Sequence, residues 1–255
     1  MLHVETDGPV HILTLDRPRA RNAIDPDQAD RLRDAFRAFE DDPDLRVAIL
    51  TGAGGTFCAG ADLKAVAAGA FDWGRLLHEG PLGPTRCHFS KPVIAAVEGY
   101  CVAGGLELAV MCDMRIASET AIFGIFERRW GVPLVDGGTV RLPRLVGQSR
   151  ALDMILTGRP VDAAEALSFG LANRVVPAGE ALRAAIALAH DIAGFPQRCM
   201  LNDRASLLSQ WALPLDAALQ NEAELGMDSL ADGTTADKFA DGAGRGGRFD
   251  QYKSR

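Results

Sequence analysis

Short apolar strands alternate with helices through the first half of the chain, and this alternation constrains the fold more than any other feature of the sequence. Patterns of strand length and strand composition occur at Val10–Leu15, 47–51, Val93–Val97 and 114–117. Helical patterns lie between them, and the first begins at Asp25, a capping residue that is followed by Pro26. Another covers 104–112. Because strands separated by helices form parallel sheets, we predict an α/β core with both sheet faces covered.

Strand patterns nearly stop after about Gly138, and the remaining sequence is typical of helices. We predict helices at 142–156, 162–169 and 180–193, and two more beyond Phe195, with Pro196 and Pro214 near their starts. The predicted organisation is therefore an α/β core over residues 1–194, which holds the functional site, and a helical oligomerisation part over residues 195–255.

Charge and composition exclude several classes of function. The 255 residues carry a formal net charge of −7, whereas nucleic acids and anionic membranes attract basic surfaces, so we expect neither partner. The most apolar stretch, 93–112, contains two glutamates and three glycines and is not a membrane span. Five cysteines without a Cys-x-x-Cys pair favour buried thiols over disulfides or a metal site. No signal-peptide pattern occurs at residues 1–7, so the expected location is the cytoplasm.

Two stretches of small residues open predicted helices and leave backbone N–H groups uncovered. The first is Cys58-Ala59-Gly60-Ala61-Asp62, and the second is Ala103-Gly104-Gly105-Leu106-Glu107. Free N–H groups and the positive end of the dipole at a helix start are suited to stabilising a developing oxyanion. Glycine-rich turns before helices are common, however, so the first stretch by itself does not indicate a site.

Three carboxylates are candidates for acid-base chemistry, and each has a structural alternative. Glu107 lies in the first turn of a predicted helix, where it could simply favour the dipole or cap the helix. Glu127 could form an ion pair with Arg128 or Arg129. Asp136 precedes Gly137-Gly138-Thr139 and could cap the helix that begins there, since Asp is a preferred capping residue.

Together these stretches resemble the crotonase family, also called the enoyl-CoA hydratase/isomerase family. The small-residue loop, the Gly-Gly-x-Glu helix and the Gly-Gly-Thr helix start occur in the family's order and spacing. The resemblance covers nearly the whole chain, from Arg17-Pro18…Asn22-Ala23 through Thr157-Gly158-Arg159 to Gly170-Leu171-Ala172. It implies a crotonase-like spiral of ββα units with a helical C-terminal part, and an assembly of three subunits or a dimer of trimers.

The resemblance also implies roles for individual residues. The backbone N–H groups of Ala61 and Gly104 correspond to the family's oxyanion hole for a thioester oxygen, and Glu107 and Glu127 to the two glutamates of its hydratases. The coenzyme A (CoA) contacts of the family point to five residues here, Arg21, Ala23, Ala59, Asp62 and Leu63. We expect CoA to enter only as part of an acyl-CoA substrate, without a metal or another cofactor.

The expected reaction is the addition of water across an α,β-unsaturated thioester. A base must activate the water and an acid must deliver a proton to the α-carbon, and two buried carboxyls can share these tasks. An acyl pocket has four candidate lining residues, Trp73, Leu76, Leu77 and Phe89. Apolar residues in helices more often belong to the hydrophobic core, so core packing is the alternative.

Three departures from the hydratase pattern leave other reactions open. Phe126 stands where hydratases usually carry Pro, Arg128-Arg129-Trp130 replaces an apolar stretch, and Asp136 replaces a small residue. Dienoyl-CoA isomerases of the family carry an Asp near position 136, with spacing that differs by one residue, so Asp136 is a third catalytic candidate. The alternatives are therefore a dienoyl-CoA or 3,2-enoyl-CoA isomerase, or a catalytically silent CoA- or RNA-binding protein.

Overall fold

A computed structural model describes residues 1–74, 78 and 80–231. The chain divides into two compact units, Met1–Ala189 and His190–Arg255. The predicted boundary between residues 194 and 195 stays a prediction. Residues 232–255 of the predicted C-terminal part lie outside the described residues.

The first unit contains a sheet of six strands. Their spatial order is β1 (Leu2–Asp7), β2 (Val10–Leu15), β3 (Val47–Gly52), β4 (Val93–Val97), β6 (Met114–Ser118) and β9 (Arg174–Val176), numbered in chain order. β1 pairs with β2 in the antiparallel sense, and every other neighbouring pair is parallel. The four predicted strands thus lie side by side in the middle of this sheet, and β3 and β4 are fully buried apart from Gly52 at the end of β3.

A second, smaller sheet lies in the same unit and consists of β5 (Tyr100–Val102), β7 (Ile122–Gly124) and β8 (Val161–Asp162). The chain enters it from β4 through a turn at Gly99, whose φ is +50°. A side chain there would place its Cβ 2.3 Å from the carbonyl oxygen of Gly55, so only glycine fits. The chain passes from the large sheet to the small one again between β6 and β7.

The helices of the first unit confirm most of the predicted pattern. They are α1 (Pro26–Asp41), α2 (Leu63–Ala67), α3 (Gly104–Met111), α4 (Gly138–Val146), α5 (Gln148–Thr157), α6 (Ala163–Ser168) and the greater part of α7 (Ala181–Ala193). Asp25 caps α1, since its carboxylate accepts a hydrogen bond of 2.9 Å from the N–H of Gln28. The single helix predicted over 142–156 is wrong: Gly147, with φ +82°, separates α4 from α5.

α3 is buried almost from end to end, and this burial explains why its sequence is apolar on all sides. Every residue from Gly104 to Val110 is buried, including Glu107. The described core around it contains the large side chains Phe36, Phe57 and Phe123. A helix in such surroundings is held rigidly, which suits it to carry a site.

The described part of the second unit contains the end of α7 and two further α-helices, α8 (Gln197–Ser209) and α9 (Leu215–Ala231). α8 and α9 are joined by polar contacts, in which Arg198 pairs with Asp228 through two nitrogens and Asn202 donates to Ser229 Oγ over 3.0 Å. Among the residues described in either unit, no helix is long and apolar enough to cross a membrane.

Candidate active site

The start of α3 presents a bare helix end. Ala103 precedes the helix with φ +54°, a conformation that is unusual for a residue other than glycine. The next two residues have no room for side chains: a Cβ at Gly104 would lie 2.2 Å from Leu82 Cδ1, and one at Gly105 would lie 2.1 Å from the Cys58 carbonyl oxygen. Among the described residues, the N–H of Gly104 has no acceptor.

The loop before α2 lies directly against this helix end. Gly60 has φ +89°, and a Cβ there would be 2.6 Å from Gly104 N. Two backbone hydrogen bonds hold the loop, from Ala59 to Arg21 O (3.0 Å) and from Asp62 to Ile24 O (2.7 Å). The N–H of Ala61 has no acceptor within the described parts of the chain. The structure therefore brings together the two free N–H groups that the sequence singled out.

Ala61 and Gly104 line one cavity together with all three candidate carboxylates. The other walls of this cavity are apolar or aromatic. The lining residues are Ala59, Ala61, Leu63, Phe71, Trp73, Pro81, Leu82, Ala103, Gly104, Glu107, Phe126, Glu127, Trp130, Val132, Pro133, Val135 and Asp136. The charged side chains in this set are thus the three carboxylates.

Glu107 does not cap its own helix, whose N-terminus has no side-chain cap. Its Oε1 instead accepts hydrogen bonds from the N–H groups of Asp136 (2.9 Å) and Gly138 (2.8 Å). Burial, together with the nearby charge of Asp136, raises the pKa of Glu107 to about 8, although the two N–H bonds oppose the shift. The two hydrogen bonds to Oε1 thus orient the carboxyl group, and its raised pKa means that it is mostly protonated near neutral pH.

Glu127 lies on a short 3₁₀ turn, Phe126–Trp130, and is buried. Neither carboxyl oxygen has a hydrogen-bonding partner among the described residues. The ion pair with Arg128 or Arg129 is not formed: Arg128 donates to Ile155 O, and the Arg129 guanidinium lies over the Phe126 ring at 4.8 Å. Burial raises the pKa of Glu127 to about 7, against the opposing effects of its own nearby backbone N–H and of the charge of Arg128. A buried carboxyl without partners is costly, which marks it as a functional group.

Asp136 does not cap α4, since the capping residue is Gly137 and no side chain caps this helix. Its Oδ1 accepts hydrogen bonds from the N–H of Leu82 (3.1 Å) and from the Thr85 hydroxyl. Burial raises the pKa of Asp136, and these hydrogen bonds and the charges of Arg86 and Arg141 oppose that shift. The α4 N-terminus instead meets Glu107, and a Cβ at Gly138 would lie 2.9 Å from Glu107 Oε1.

The five residues proposed for CoA binding divide into two groups. Ala59 and Leu63 line the cavity, whereas Arg21, Ala23 and Asp62 do not. Arg21 is exposed and its guanidinium lies 5.8 Å from the centre of the Tyr100 ring.

Ala23 and Asp62 have local structural partners of their own. The Ala23 carbonyl accepts from Arg17 Nη1 over 2.5 Å. Asp62 caps α2 through the N–H of Lys64 (3.0 Å) and pairs with Arg17 (2.9 Å). The carboxylate of Asp62 is therefore already engaged.

The aromatic wall of the cavity was only partly anticipated. Trp73 lines the cavity as proposed, and its ring stacks on Phe71 at 5.4 Å. Phe89 instead packs against Phe36 at 4.9 Å and against the core, so the alternative of core packing is confirmed for this residue. Leu76 and Leu77 lie outside the described residues. Leu82 and Thr85 were missed, because nothing local to them signals a contact with residues about 50 positions away.

Comparison with known proteins gives matches over most of the chain. Residues 5–235 match the enoyl-CoA hydratase/isomerase family. The enoyl-CoA hydratase EchA19 of Mycobacterium tuberculosis is 39% identical over 231 residues, which cover 88% of this chain and 86% of that protein. A carnitinyl-CoA dehydratase of Proteus mirabilis is 45% identical over 194 residues, covering 75% of this chain and 74% of the relative. The crystal structure of enoyl-CoA hydratase EchA1 from Mycobacterium marinum matches with a TM-score of 0.87 at 35% identity, covering 94% of this chain and 95% of that one.

Proposed function

Because the chain belongs to the enoyl-CoA hydratase/isomerase family, we propose that it is an enoyl-CoA hydratase, which adds water across the 2,3 double bond of an acyl-CoA thioester. The predicted crotonase-like α/β fold with a helical C-terminal region is confirmed by the likeness to solved hydratases. One observation carries the proposal. The cavity that holds the free N–H groups of Ala61 and Gly104 also holds two buried glutamates, Glu107 and Glu127.

We propose that the two N–H groups act as an oxyanion hole. When hydroxide adds to C3, negative charge develops on the thioester oxygen as an enolate forms. The N–H groups of Ala61 and Gly104 have no acceptor among the described residues, so they are free to donate to that oxygen. Preorganised donors of this kind are typically worth about 3 kcal/mol each in barrier height.

The two glutamates supply the proton transfers. With pKa values of about 8 for Glu107 and about 7 for Glu127, the pair retains about one proton near neutral pH. The ionised carboxyl removes a proton from water, whose oxygen bonds to C3, and the protonated carboxyl delivers its proton to C2. The C2–C3 π bond is consumed, one water is added, and the pair again holds one proton. These pKa values belong to the pair and not to a fixed acid and base.

The apolar walls indicate where the substrate lies. Phe126, Trp130 and Val132 lie within five residues of Glu127 and line the cavity, so we place the acyl chain against them. We place the CoA portion near Ala59 and Leu63, with Arg21, Ala23 and Asp62 as further candidates. CoA enters as part of the substrate, and the proposed reaction moves only water and protons.

We also propose a homotrimer or a dimer of trimers. Large apolar side chains are exposed on the described part of the second unit, and such side chains favour association. They are Phe195, Leu207, Leu208, Trp211, Leu213, Leu215, Leu219, Met227 and Leu230. The cytoplasm remains the proposed location, because a reducing compartment suits a chain with five free thiols.

The proposed reaction is tested with purified protein and a 2-enoyl-CoA. Hydration removes the conjugated double bond, so we expect its absorbance to fall and the mass of the thioester to rise by one water. A dienoyl-CoA and a 3-enoyl-CoA, followed in the same way, test the isomerase alternatives, because isomerisation changes absorbance without changing mass. Carnitinyl-CoA belongs in the panel because a relative is named for it. A change of absorbance at constant mass with every substrate would replace the hydratase by an isomerase.

A further inference from the structure

Asp136 connects two chain segments that meet at the cavity. Its Oδ1 accepts from Leu82 N and from the Thr85 hydroxyl, which binds the segment 80–86 to the segment 135–141. Arg141 reinforces the same junction, since it donates to the carbonyl oxygens of Asp136 (2.9 Å) and Thr85 (2.7 Å). A further hydrogen bond joins Arg86 Nη2 to Val135 O over 3.1 Å. The two segments are thus linked by three residues on each side.

The junction is closely packed. A Cβ at Gly80 would lie 1.7 Å from Thr85 Oγ1 and 2.9 Å from Asp136 Oδ1, so the hydrogen bond between Thr85 and Asp136 occupies the space of a side chain at residue 80. Asp136 and Thr85 are both buried, at 1% and 0% exposure. A buried hydrogen bond to a carboxylate holds its partners more firmly than a neutral one at the surface.

Each segment then contacts one part of the proposed catalytic machinery. Leu82, from the first segment, lies on Gly104, where an added Cβ would be 2.2 Å from Leu82 Cδ1. The N–H of Asp136, from the second segment, donates to Glu107 Oε1 over 2.9 Å. The oxyanion hole and the glutamate are therefore connected through the side chain of one aspartate.

We propose that Asp136 is a positioning residue. Its side chain holds Leu82 against the start of α3, and it keeps in place the backbone N–H groups that donate to Glu107. This inference rests on the proposed function only for its effect on turnover. It assigns Asp136 no proton transfer, because the role needs only an oxygen acceptor at Oδ1. It therefore differs from the third catalytic carboxyl that the isomerase alternative requires.

Three variants separate the two roles. Asp136→Asn keeps an oxygen that can accept from Leu82 N and the Thr85 hydroxyl, but it cannot carry or release a proton as a carboxyl does. Asp136→Ala removes the acceptor. Thr85→Val removes one donor while leaving Asp136 intact and keeping a similar shape, so it tests the contact even if Asp136→Ala fails to fold. Thr6→Val, on the exposed face of β1, is the matched control for the loss of a hydroxyl.

The first measurement is the rate of 2-enoyl-CoA hydration. A small displacement of catalytic groups costs up to about 100-fold in rate, so we expect Asp136→Ala and Thr85→Val to lower kcat by about 10- to 100-fold. Asp136→Asn should stay within about fivefold of the parent enzyme because it retains the hydrogen bonds. A loss with Asp136→Asn as large as that with Asp136→Ala would overturn the proposal in favour of a catalytic carboxyl. Unchanged kcat in both Asp136→Ala and Thr85→Val would overturn it as well.

The second measurement does not depend on turnover. Hydrogen exchange of the Leu82 amide should speed up in Asp136→Ala and Thr85→Val and remain slow in Asp136→Asn and Thr6→Val. If the parent enzyme hydrates no enoyl-CoA, the proposed function fails and this measurement alone decides the role of Asp136. Equal Leu82 protection in all variants would overturn the positioning role whatever reaction the protein catalyses.

Discussion

At the scale of single residues, the site is built from groups whose ordinary partners are missing. Glu127 is buried without a hydrogen bond among the described residues, and Ala61 and Gly104 keep free N–H groups. Each of these arrangements costs stability unless a ligand or water completes it. Residues of this kind therefore indicate function more directly than the apolar residues around them.

The proposed oxyanion role of Gly104 predicts that Gly104→Pro lowers kcat by about 100-fold or more relative to Gly104→Ala. Both variants introduce a Cβ that meets Leu82, but only proline removes the N–H. Proline is also tolerated at the first position of a helix, so Gly104→Pro should fold about as well as Gly104→Ala. Steady-state kinetics and circular dichroism of the two variants check this. Equal kcat values in the two folded variants would remove Gly104 from the oxyanion hole.

The proposed role of the buried Glu127 carboxyl in proton transfer predicts that Glu127→Gln lowers turnover by about 10²- to 10⁴-fold. The amide keeps the shape of the side chain but cannot exchange a proton as a carboxyl does. Stability should not fall, since no hydrogen bond to the carboxyl is lost among the described residues. Glu5→Gln, at an exposed position on β1, is the control for the loss of one carboxylate. Turnover of Glu127→Gln close to that of Glu5→Gln would contradict a catalytic role.

The two raised pKa values predict a narrow pH dependence of kcat/KM. Below about pH 7 both carboxyls are protonated and the base is lost, whereas above about pH 8 both are ionised and the acid is lost. We therefore expect a bell-shaped profile with its maximum between about pH 7 and 8, measured at constant ionic strength from pH 5 to 10. A flat profile across this range would show that the pair does not share one proton in the reaction.

At the scale of elements, helix starts and the loop before α2 position the candidate catalytic groups. α3 brings Gly104 and Glu107 into the site from one buried helix, and the start of α4 orients Glu107 through the N–H of Gly138. The loop before α2 is anchored to the segment that leads into α1, through the hydrogen bond from Asp62 N to Ile24 O. The stability of α1 therefore also bears on the placement of Ala61.

The cap of α1 predicts that Asp25→Ala lowers the free energy of unfolding by roughly 1 kcal/mol, because the N–H of Gln28 loses its acceptor. Asp25→Asn caps about as well and should lose only a small part of this. The difference between the two variants isolates the cap from the partly buried ion pair with Arg17, which both remove. Urea unfolding measures both. Equal unfolding free energies for Asp25→Ala and Asp25→Asn would show that the cap contributes nothing.

At the scale of the whole molecule, solubility and association depend on the surface. The net charge of −7 opposes unspecific association, while the exposed apolar residues of α8 and α9 favour a specific assembly. A closed assembly satisfies both conditions, because it covers apolar surface without continuing to grow.

The proposed assembly predicts a mass of three or six chains in light scattering at micromolar concentration. Leu219→Lys, on an exposed position of α9, places a charge among the exposed apolar residues and should lower that mass if this surface forms the interface. Val4→Lys, on the exposed face of β1, is the matched control. A parent protein that scatters as a monomer would refute the assembly.

Features that depend on neighbouring residues were predictable from short-range patterns alone. Patterns within a few neighbouring positions predict the four central strands, the cap of α1 and the glycine-rich start of α3. The four strands are β2, β3, β4 and β6. The resemblance to the family further predicted that Ala61 and Gly104 serve one site, together with Glu107 and Glu127. It did so because the motifs that contain them are spaced along this chain as they are in the family.

Contacts between distant groups, in contrast, became visible only in the folded chain. Glu107 binds N–H groups 29 and 31 residues away, and Asp136 binds Leu82 and Thr85, 54 and 51 residues away. No local pattern encodes such contacts, since they depend on the path of the chain through two sheets. The same holds for the capping alternatives, because a capping residue and a residue bonded to a distant partner look alike in sequence. Local structure is encoded locally, whereas the environment that raises the pKa of a carboxyl exists only after the chain has folded around it.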